Sequence, residues 1–141
     1  MKPIAARALT AGQVTAPLML LSAPLSLWGG LDLASGSICD VSHPQHGVRI
    51  AGTIMAMRAA RGSSSSSSAL VEAVRRGTAP AGIILGSIDP ILVIGSLVAA
   101  DLYGVAVPIL LLDPADWPLL IDGVEAALVA NDETGSIHMA G

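Results

Sequence analysis

Aromatic residues, cysteine and charged residues are all scarce in this chain. Of its 141 residues three are aromatic, Trp28, Tyr103 and Trp117, and Cys39 is the single cysteine. Charged residues make up 13%, against about 25% in ordinary proteins. A single cysteine excludes a disulfide framework and fits a reducing compartment, so we expect a cytoplasmic protein. The shortage of basic and aromatic side chains argues against a surface that binds nucleic acid.

Basic residues are absent from the second half of the sequence. No lysine or arginine follows Arg76, so the first 76 residues carry a net charge of +4 and the remainder −8. The basic segment from Arg49 to Arg76 leaves room for a local anion site.

Long unbroken apolar runs are missing as well. Residues 8–31 carry no charge, but Gly12, Pro17 and Pro24 interrupt them, and Asp89-Pro90 breaks the later run from 79 to 100. We therefore expect neither a membrane span nor a secretory signal.

Hydrophobic residues are in excess. They make up 52% of the chain, and about 62% when glycine is added, against roughly 45–50% in ordinary proteins. This composition excludes intrinsic disorder. Because a chain of this length buries only about two-thirds of its unfolded surface, we expect an obligate partner to cover some of the apolar remainder.

Apolar strands alternate with helices along the chain. Continuous apolar runs and weaker alternating segments predict strands at 14–22, 49–57, 83–85, 107–112, 125–129 and 136–138. Pro17 indicates an edge strand or a bulge. Strands joined through helices favour crossover units with parallel pairing, so the predicted class is α/β, with residues 1–141 forming a single domain.

Three helices have recognisable boundaries. Apolar residues from Leu70 at helical spacing predict a helix that stops at Gly77. Asp89-Pro90 predicts the cap and first residue of a second helix, which runs to Tyr103 and is apolar nearly all round, so we expect it to be buried. Asp113-Pro114 repeats the signal before a short helix near Trp117.

Six consecutive serines, Ser63 to Ser68, occupy the junction between a predicted strand and a predicted helix. Three interpretations remain open on composition alone: a flexible linker, a plain helix cap, or a loop whose free N–H groups hold an anion. A serine hydroxyl can act as a base only where its alkoxide is stabilised. The start of a helix, together with the flanking Arg58 and Arg61, would supply such stabilisation.

Other candidate residues favour structural roles. Cys39 is typical of a small buried or loop residue, and one thiolate cannot hold a cluster alone. His43 and His46 have a metal-pair spacing but no third ligand nearby, and their polar loop contains Pro44. Trp28 is expected to be a packing or interface anchor, and Asp89 a helix cap rather than a catalytic acid.

Four short motifs follow one another along the chain: SLWGG (Ser26–Gly30), RGSSSSS (Arg61–Ser67), RGTAP (Arg76–Pro80) and DPI (Asp89–Ile91) with Gly95. In order and spacing they resemble the small subunit of aconitase X. The resemblance covers about residues 17–112. It implies the swivelling β/β/α domain that corresponds to the mobile last domain of aconitase.

The resemblance also implies a function. Members of the family are hydro-lyases, active as a complex with a large subunit that carries an iron or iron–sulfur centre. Bacterial members dehydrate cis-3-hydroxy-L-proline to Δ1-pyrroline-2-carboxylate, and archaeal members dehydrate mevalonate 5-phosphate. The serine-rich loop of this sequence resembles the bacterial members more than the archaeal ones. A non-catalytic module that binds an anion or regulates a partner is the alternative of another class.

The implied site lies in the serine loop. In aconitases the serine after the glycine of a Gly-Ser loop is the catalytic base, which corresponds to Ser63 after Gly62 in this sequence. The metal on the partner would act as Lewis acid on the departing hydroxyl. Backbone N–H groups of Ser64 and Ser65 would hold the substrate carboxylate.

Two departures from the family pattern bear on that site. Ala59-Ala60 stand where a glycine pair is frequent, which makes the loop stiffer. Ser65 stands where aconitase has an arginine, so another arginine must bind the carboxylate, either Arg61 or one from the partner.

Overall fold

The computed structural model describes residues 2–140, and a closed barrel of seven strands forms its centre. The strands are β1 (Ile4–Thr10), β2 (Gly12–Leu20), β3 (Ile54–Met57), β4 (Gly82–Leu85), β5 (Ile109–Leu111), β6 (Glu125–Ala130) and β7 (Thr134–Met139). The helices are a single turn α1 (Leu27–Gly30), α2 (Ser66–Arg76), α3 (Pro90–Tyr103) and a 3₁₀ helix (Pro114–Leu119).

Four neighbouring strands of the barrel are parallel. The order around the barrel is β1-β5-β4-β3-β2-β6-β7, and β2, β3, β4 and β5 pair in parallel while the other pairings are antiparallel. Helix α2 connects β3 to β4, and α3 connects β4 to β5. The prediction of an α/β fold with crossover units is thereby confirmed.

The parallel strands are buried on both faces. Ile54 and Ala56 of β3 point into the barrel core, while Met55 and Met57 pack under the helices. In β4, Ile84 faces inward, and Ile83 and Leu85 face the helices. Because successive side chains of a strand point to opposite faces, a strand between two apolar layers is a continuous apolar run. Double burial accounts for part of the hydrophobic excess.

The helix ends predicted from the sequence are confirmed. Gly77 adopts a left-handed conformation (φ 76°) and closes α2 with N–H bonds to the carbonyls of Ala73 and Val74. The Asp89 carboxylate accepts the N–H of Ile91 at the start of α3. Asp113 caps the 3₁₀ helix in the same way.

The prediction that α3 is buried is wrong for its outer face. Ile94, Leu97 and Leu102 are 54%, 56% and 60% exposed. The inner face is built from Leu92, Gly95, Ser96 and Ala99, mostly small residues that bring α3 close to the layer beneath it. Since α3 is the outermost layer, its remaining apolar side chains project outward. Within residues 2–140, no helix combines the length and the apolar character needed to span a bilayer.

Three strand predictions need correction. Strand β1 was not predicted, because its alanine-rich sequence carries little strand signal. The predicted strand 49–57 is shortened to Ile54–Met57, and Arg49 makes only an isolated bridge to Ser37. Pro17 lies in an interior strand, where the ladder with β6 ends at Pro17 and the ladder with β3 begins at Leu18, so its missing N–H interrupts neither ladder.

A buried hydroxyl network joins α3 to the barrel. Thr10 Oγ1 donates to the carbonyl of Val107 (3.0 Å) and accepts the N–H of Ile109 (2.9 Å), while Ser96 Oγ donates to the same carbonyl (2.7 Å). Thr10 and Ser96 are 6% and 2% exposed. The network satisfies polar groups where the β1–β5 register shifts between Ala8 and Thr10.

Replacing Thr10 with valine should destabilise the protein by about 1–3 kcal/mol, because the N–H of Ile109 is left buried without an acceptor. Equilibrium urea unfolding measures the change. The exposed β2 residue Thr15 provides the matched control, and Thr15→Val should stay within about 0.5 kcal/mol. Equal stability of the two variants would contradict the role given to the network.

Helices α2 and α3 approach closely at one point. The Ser67 hydroxyl donates to the carbonyl of Ile91 at 2.5 Å, and a β-carbon on Gly95 would lie 3.1 Å from the carbonyl oxygen of Ser67. Glycine at position 95 therefore permits the close approach of the two helices, and Ser67 joins their first turns.

Ser67→Ala should leave the protein less stable than Ser68→Ala by about 1 kcal/mol. Both changes improve helix propensity equally, but only Ser67 makes a bond across to α3. Thermal or urea unfolding of the two variants gives the difference. If Ser68→Ala is as destabilising, the interhelical bond does not stabilise this junction.

Candidate active site

The carboxyl ends of the four parallel strands meet at one edge of the barrel, where ligands bind in many sheets of this kind. The motif beginning at Ser26 follows β2, the serine loop follows β3, and Asp89 follows β4. Three of the four motifs are thus brought together. The fourth, Arg76–Pro80, closes the opposite end of α2, where Thr78 Oγ1 donates to the carbonyl of Leu33 (2.7 Å).

Gly62 brings the serine loop into close contact with Ser26 in the segment after β2. Its φ of +112° lies in a region that side chains disfavour, and a β-carbon there would overlap the hydroxyl of Ser26. The Ser26 hydroxyl in turn donates to the carbonyl of Trp28 (3.0 Å). Glycine at this position therefore permits the close contact that sets the position of Ser63.

Ser63 is exposed and immediately precedes the start of α2. Its Oγ accepts the N–H of Ser65 (3.2 Å), and its carbonyl accepts the N–H of Ser66 (3.0 Å). The N–H groups of Ser63 and Ser64 have no acceptor within residues 2–140. Free N–H groups at a helix start, with the helix dipole behind them, favour an anion.

The serines of the run differ in environment. Ser66 is buried, and its Oγ accepts the N–H of Trp28 (3.4 Å). Ser66, Ser67 and Ser68 belong to helix α2, so the flexible-linker interpretation is wrong. Ser65 occupies the N-cap position without a side-chain cap bond. Ser63 and Ser64 have exposed side chains and are free to meet a ligand.

The arginines lie in separate environments. Arg61 is exposed and near Asp40. The hydroxyl and N–H of Ser42 hold the pKa of the Asp40 carboxyl below its ordinary value, and the charge of Arg61 lowers that pKa further.

The other arginines lie away from Asp40. The Arg58 guanidinium lies 5.2 Å from the centroid of the buried Trp117 ring, within cation–π range. Arg75 and Arg76 pair with Glu72 at the far end of α2 and lower the pKa of that carboxyl to about 2.

Asp122 also reaches this edge of the barrel, and the sequence analysis missed it. Its Oδ1 accepts the N–H of Leu20 at 2.8 Å, across 102 residues of sequence. No local signal marked it, since its place depends on how the segment after the 3₁₀ helix crosses the barrel end.

The histidines and the cysteine do not converge. His43 is buried, with Nδ1 accepting the N–H of Gln45 (3.0 Å) and Nε2 therefore donating to the carbonyl of Ala23 (3.0 Å). Cys39 is exposed, with Sγ 3.4 Å from the carbonyl of Gly29. In the described part of the chain, no three His, Cys, Asp or Glu side chains group to hold a metal ion. The described residues therefore offer no set of side chains that would ligate an iron centre.

Trp28 is 57% exposed at the same edge, and its backbone N–H donates to the hydroxyl of Ser66. The ring therefore does not serve as a core packing residue of this chain, and its expected role as an interface anchor stays a prediction.

Several known proteins are similar to this chain in sequence and in fold. The family model for the aconitase X swivel domain matches residues 3–139. Cis-3-hydroxy-L-proline dehydratase of Pseudomonas aeruginosa is 37% identical over 127 residues, 85% of this chain but 22% of the relative. The phosphomevalonate dehydratase small subunit of Methanopyrus kandleri is 40% identical over 82 residues, covering 58% of this chain and 61% of that one.

The fold agrees with these similarities. The crystal structure of Thermococcus kodakaraensis aconitase X in its holo-form matches with a TM-score of 0.86 and 23% identity over 100% of both chains. At that identity the likeness concerns the fold, and it bears out the swivelling β/β/α domain expected from the four motifs. The chain belongs to the aconitase X swivel-domain family.

Proposed function

We propose that this chain is the small subunit of a hydro-lyase that removes water from a small hydroxy acid, with cis-3-hydroxy-L-proline as the substrate. The support is the exposed Ser63 hydroxyl at the start of α2, in a family whose dehydratase from Pseudomonas aeruginosa is similar over 85% of this chain. A larger chain would complete the site. Trp28 and the outer face of α3 offer it exposed apolar surface.

Ser63 is proposed as the general base. A serine hydroxyl needs help to act in this way, and Ser63 Oγ has it from the N–H of Ser65, the positive end of α2 and the neighbouring Arg61. In the reaction, Oγ as the alkoxide takes the proton from the carbon beside the substrate carboxylate, the electron pair of that C–H bond forms the new double bond, and the hydroxyl on the next carbon leaves. The proton now held on Oγ passes to the departing hydroxide, which forms water and restores the alkoxide. The resulting enamine tautomerises to Δ1-pyrroline-2-carboxylate.

The same loop is proposed to hold the carboxylate. The unpaired N–H of Ser64 points to an anion site beside Ser63, and the freedom of Gly62 allows the loop to present it. Arg61 adds positive charge. Ser65, whose N–H already bonds to Ser63, would act on the substrate through the base.

The iron or iron–sulfur centre of the proposed enzyme is assigned to the larger chain. The described residues of this chain do not assemble a ligand set for one. Their contribution is to position the base and the carboxylate.

Ser63→Ala should lower kcat of the chain co-expressed with its larger partner by about 10²–10⁴-fold, the usual loss for a general base. Assembly, followed by size-exclusion chromatography, should be unchanged because the Ser63 side chain is exposed. Ser68→Ala, an exposed serine on α2, is the control and should keep its activity. Full activity in an assembled Ser63→Ala complex would contradict the assignment, and would favour a non-catalytic anion-binding module.

Substrate choice is tested in the same preparation. The complex should convert cis-3-hydroxy-L-proline and leave mevalonate 5-phosphate unchanged. The reverse result would assign this chain to the reaction named for the small subunit of Methanopyrus kandleri, which is 40% identical over a shorter region.

A further inference from the structure

A cavity of about 430 Å³ opens at the carboxyl ends of β2 and β3. It is lined by Leu20, Leu21, Ser22, Ala23, Pro24, Arg58, Trp117 and Asp122. Its volume lies within the range of small-molecule sites.

One chain segment connects the cavity to the serine loop. Residues 22–24 line the cavity, and two residues later Ser26 makes the close contact with Gly62. Arg58 lies on the same segment as Ser63, immediately after β3. A ligand in this cavity would therefore lie at the edge of the barrel from which the serine loop emerges.

Arg58 is positioned to bind a carboxylate. Its guanidinium carbon lies 5.2 Å from the centroid of the buried Trp117 ring, which is within cation–π range. Arg58 has no carboxylate partner within residues 2–140, where the ion pairs are those of Arg75 and Arg76 with Glu72. An arginine that lines a cavity and has no ion-pair partner among the described residues is suited to two-point recognition of a carboxylate.

Asp122 supplies the opposite charge. One of its oxygens is held by the N–H of Leu20 at 2.8 Å, which fixes the carboxylate at the cavity wall. The other oxygen has no hydrogen-bond partner in the described chain. Arg58 and Asp122 do not form an ion pair with each other within 4.0 Å, so each is available to a ligand.

We propose that this cavity binds a small zwitterionic amino acid, with Arg58 contacting the carboxylate and Asp122 contacting the ammonium, while Leu21, Pro24 and the Trp117 ring receive its apolar part. The proposal rests on the proposed function only in identifying the bound amino acid as substrate. It adds Arg58 of this chain to Arg61 and a partner arginine as a candidate for the residue that binds the substrate carboxylate. It also gives a physical reason for substrate choice, because the Asp122 carboxylate repels a phosphate.

The test compares two ligands that differ at one position. L-Proline carries the ring ammonium, and tetrahydrofuran-2-carboxylate has an ether oxygen in its place. The full-length chain, labelled with nitrogen-15, is titrated with each while the indole N–H signal of Trp117 is followed by NMR. L-Proline should bind at least about ten-fold more tightly, the value of a charge-assisted hydrogen bond, and the Trp28 signal should move less.

Two variants separate the roles. Asp122→Asn retains an oxygen for the N–H of Leu20, so it should fold normally and lose the preference for proline without weakening the other ligand. Arg58→Gln should weaken both ligands about equally. Asp132→Asn, an exposed aspartate in the turn between β6 and β7, is the control and should bind like the wild type. A merely structural role would not change the ratio of the two affinities.

The proposal is overturned if L-proline leaves Trp117 unaffected at 100-fold molar excess, or if Asp122→Asn changes both affinities equally. Selective binding without turnover of cis-3-hydroxy-L-proline by the assembled complex would support the cavity assignment and refute the proposed reaction. Turnover with an unselective cavity would do the opposite.

Discussion

Main-chain pairing of four parallel strands is the constraint on which the rest of the structure depends. Because β2, β3, β4 and β5 run side by side in one direction, the segments that follow them emerge at the same edge. Both faces of the central strands are buried, so a one-residue change of register would move each side chain of a strand from one apolar layer to the other. The serine loop, the Trp28 turn and Arg58 thereby lie at one edge of the barrel.

Local signals predicted the parts of the fold that local forces determine. Gly77, Asp89 and Asp113 mark helix ends because each satisfies nearby backbone groups, and the apolar runs marked β3 to β5. Long-range effects were not predictable in this way. Pairing with β5 and β7 makes β1 a strand although its sequence has a weak strand signal. Pro17 is tolerated in strand β2 because the ladder with β6 ends at Pro17 and the ladder with β3 begins at Leu18.

The candidate site divides along the same line. The position of Ser63 at a strand-to-helix junction and its flanking arginines could be predicted from sequence, and the resemblance supplied a role. The different roles of the individual serines could not be predicted, because those of Ser66 and Ser67 depend on their contacts with Trp28 and Ile91. The position of Asp122 could not be predicted for the same reason, because its hydrogen-bond partner is Leu20, 102 residues away in the sequence.

The central claim is that Ser63 removes the proton beside the substrate carboxylate. A crystal structure of the chain assembled with its larger partner and bound to L-proline, which lacks the departing hydroxyl, tests it most directly. We predict the Oγ of Ser63 at about 3–3.5 Å from the carbon that carries the carboxylate, the separation of a reactive pair. A different side chain at that distance, with Ser63 turned away from the ligand, would contradict the account.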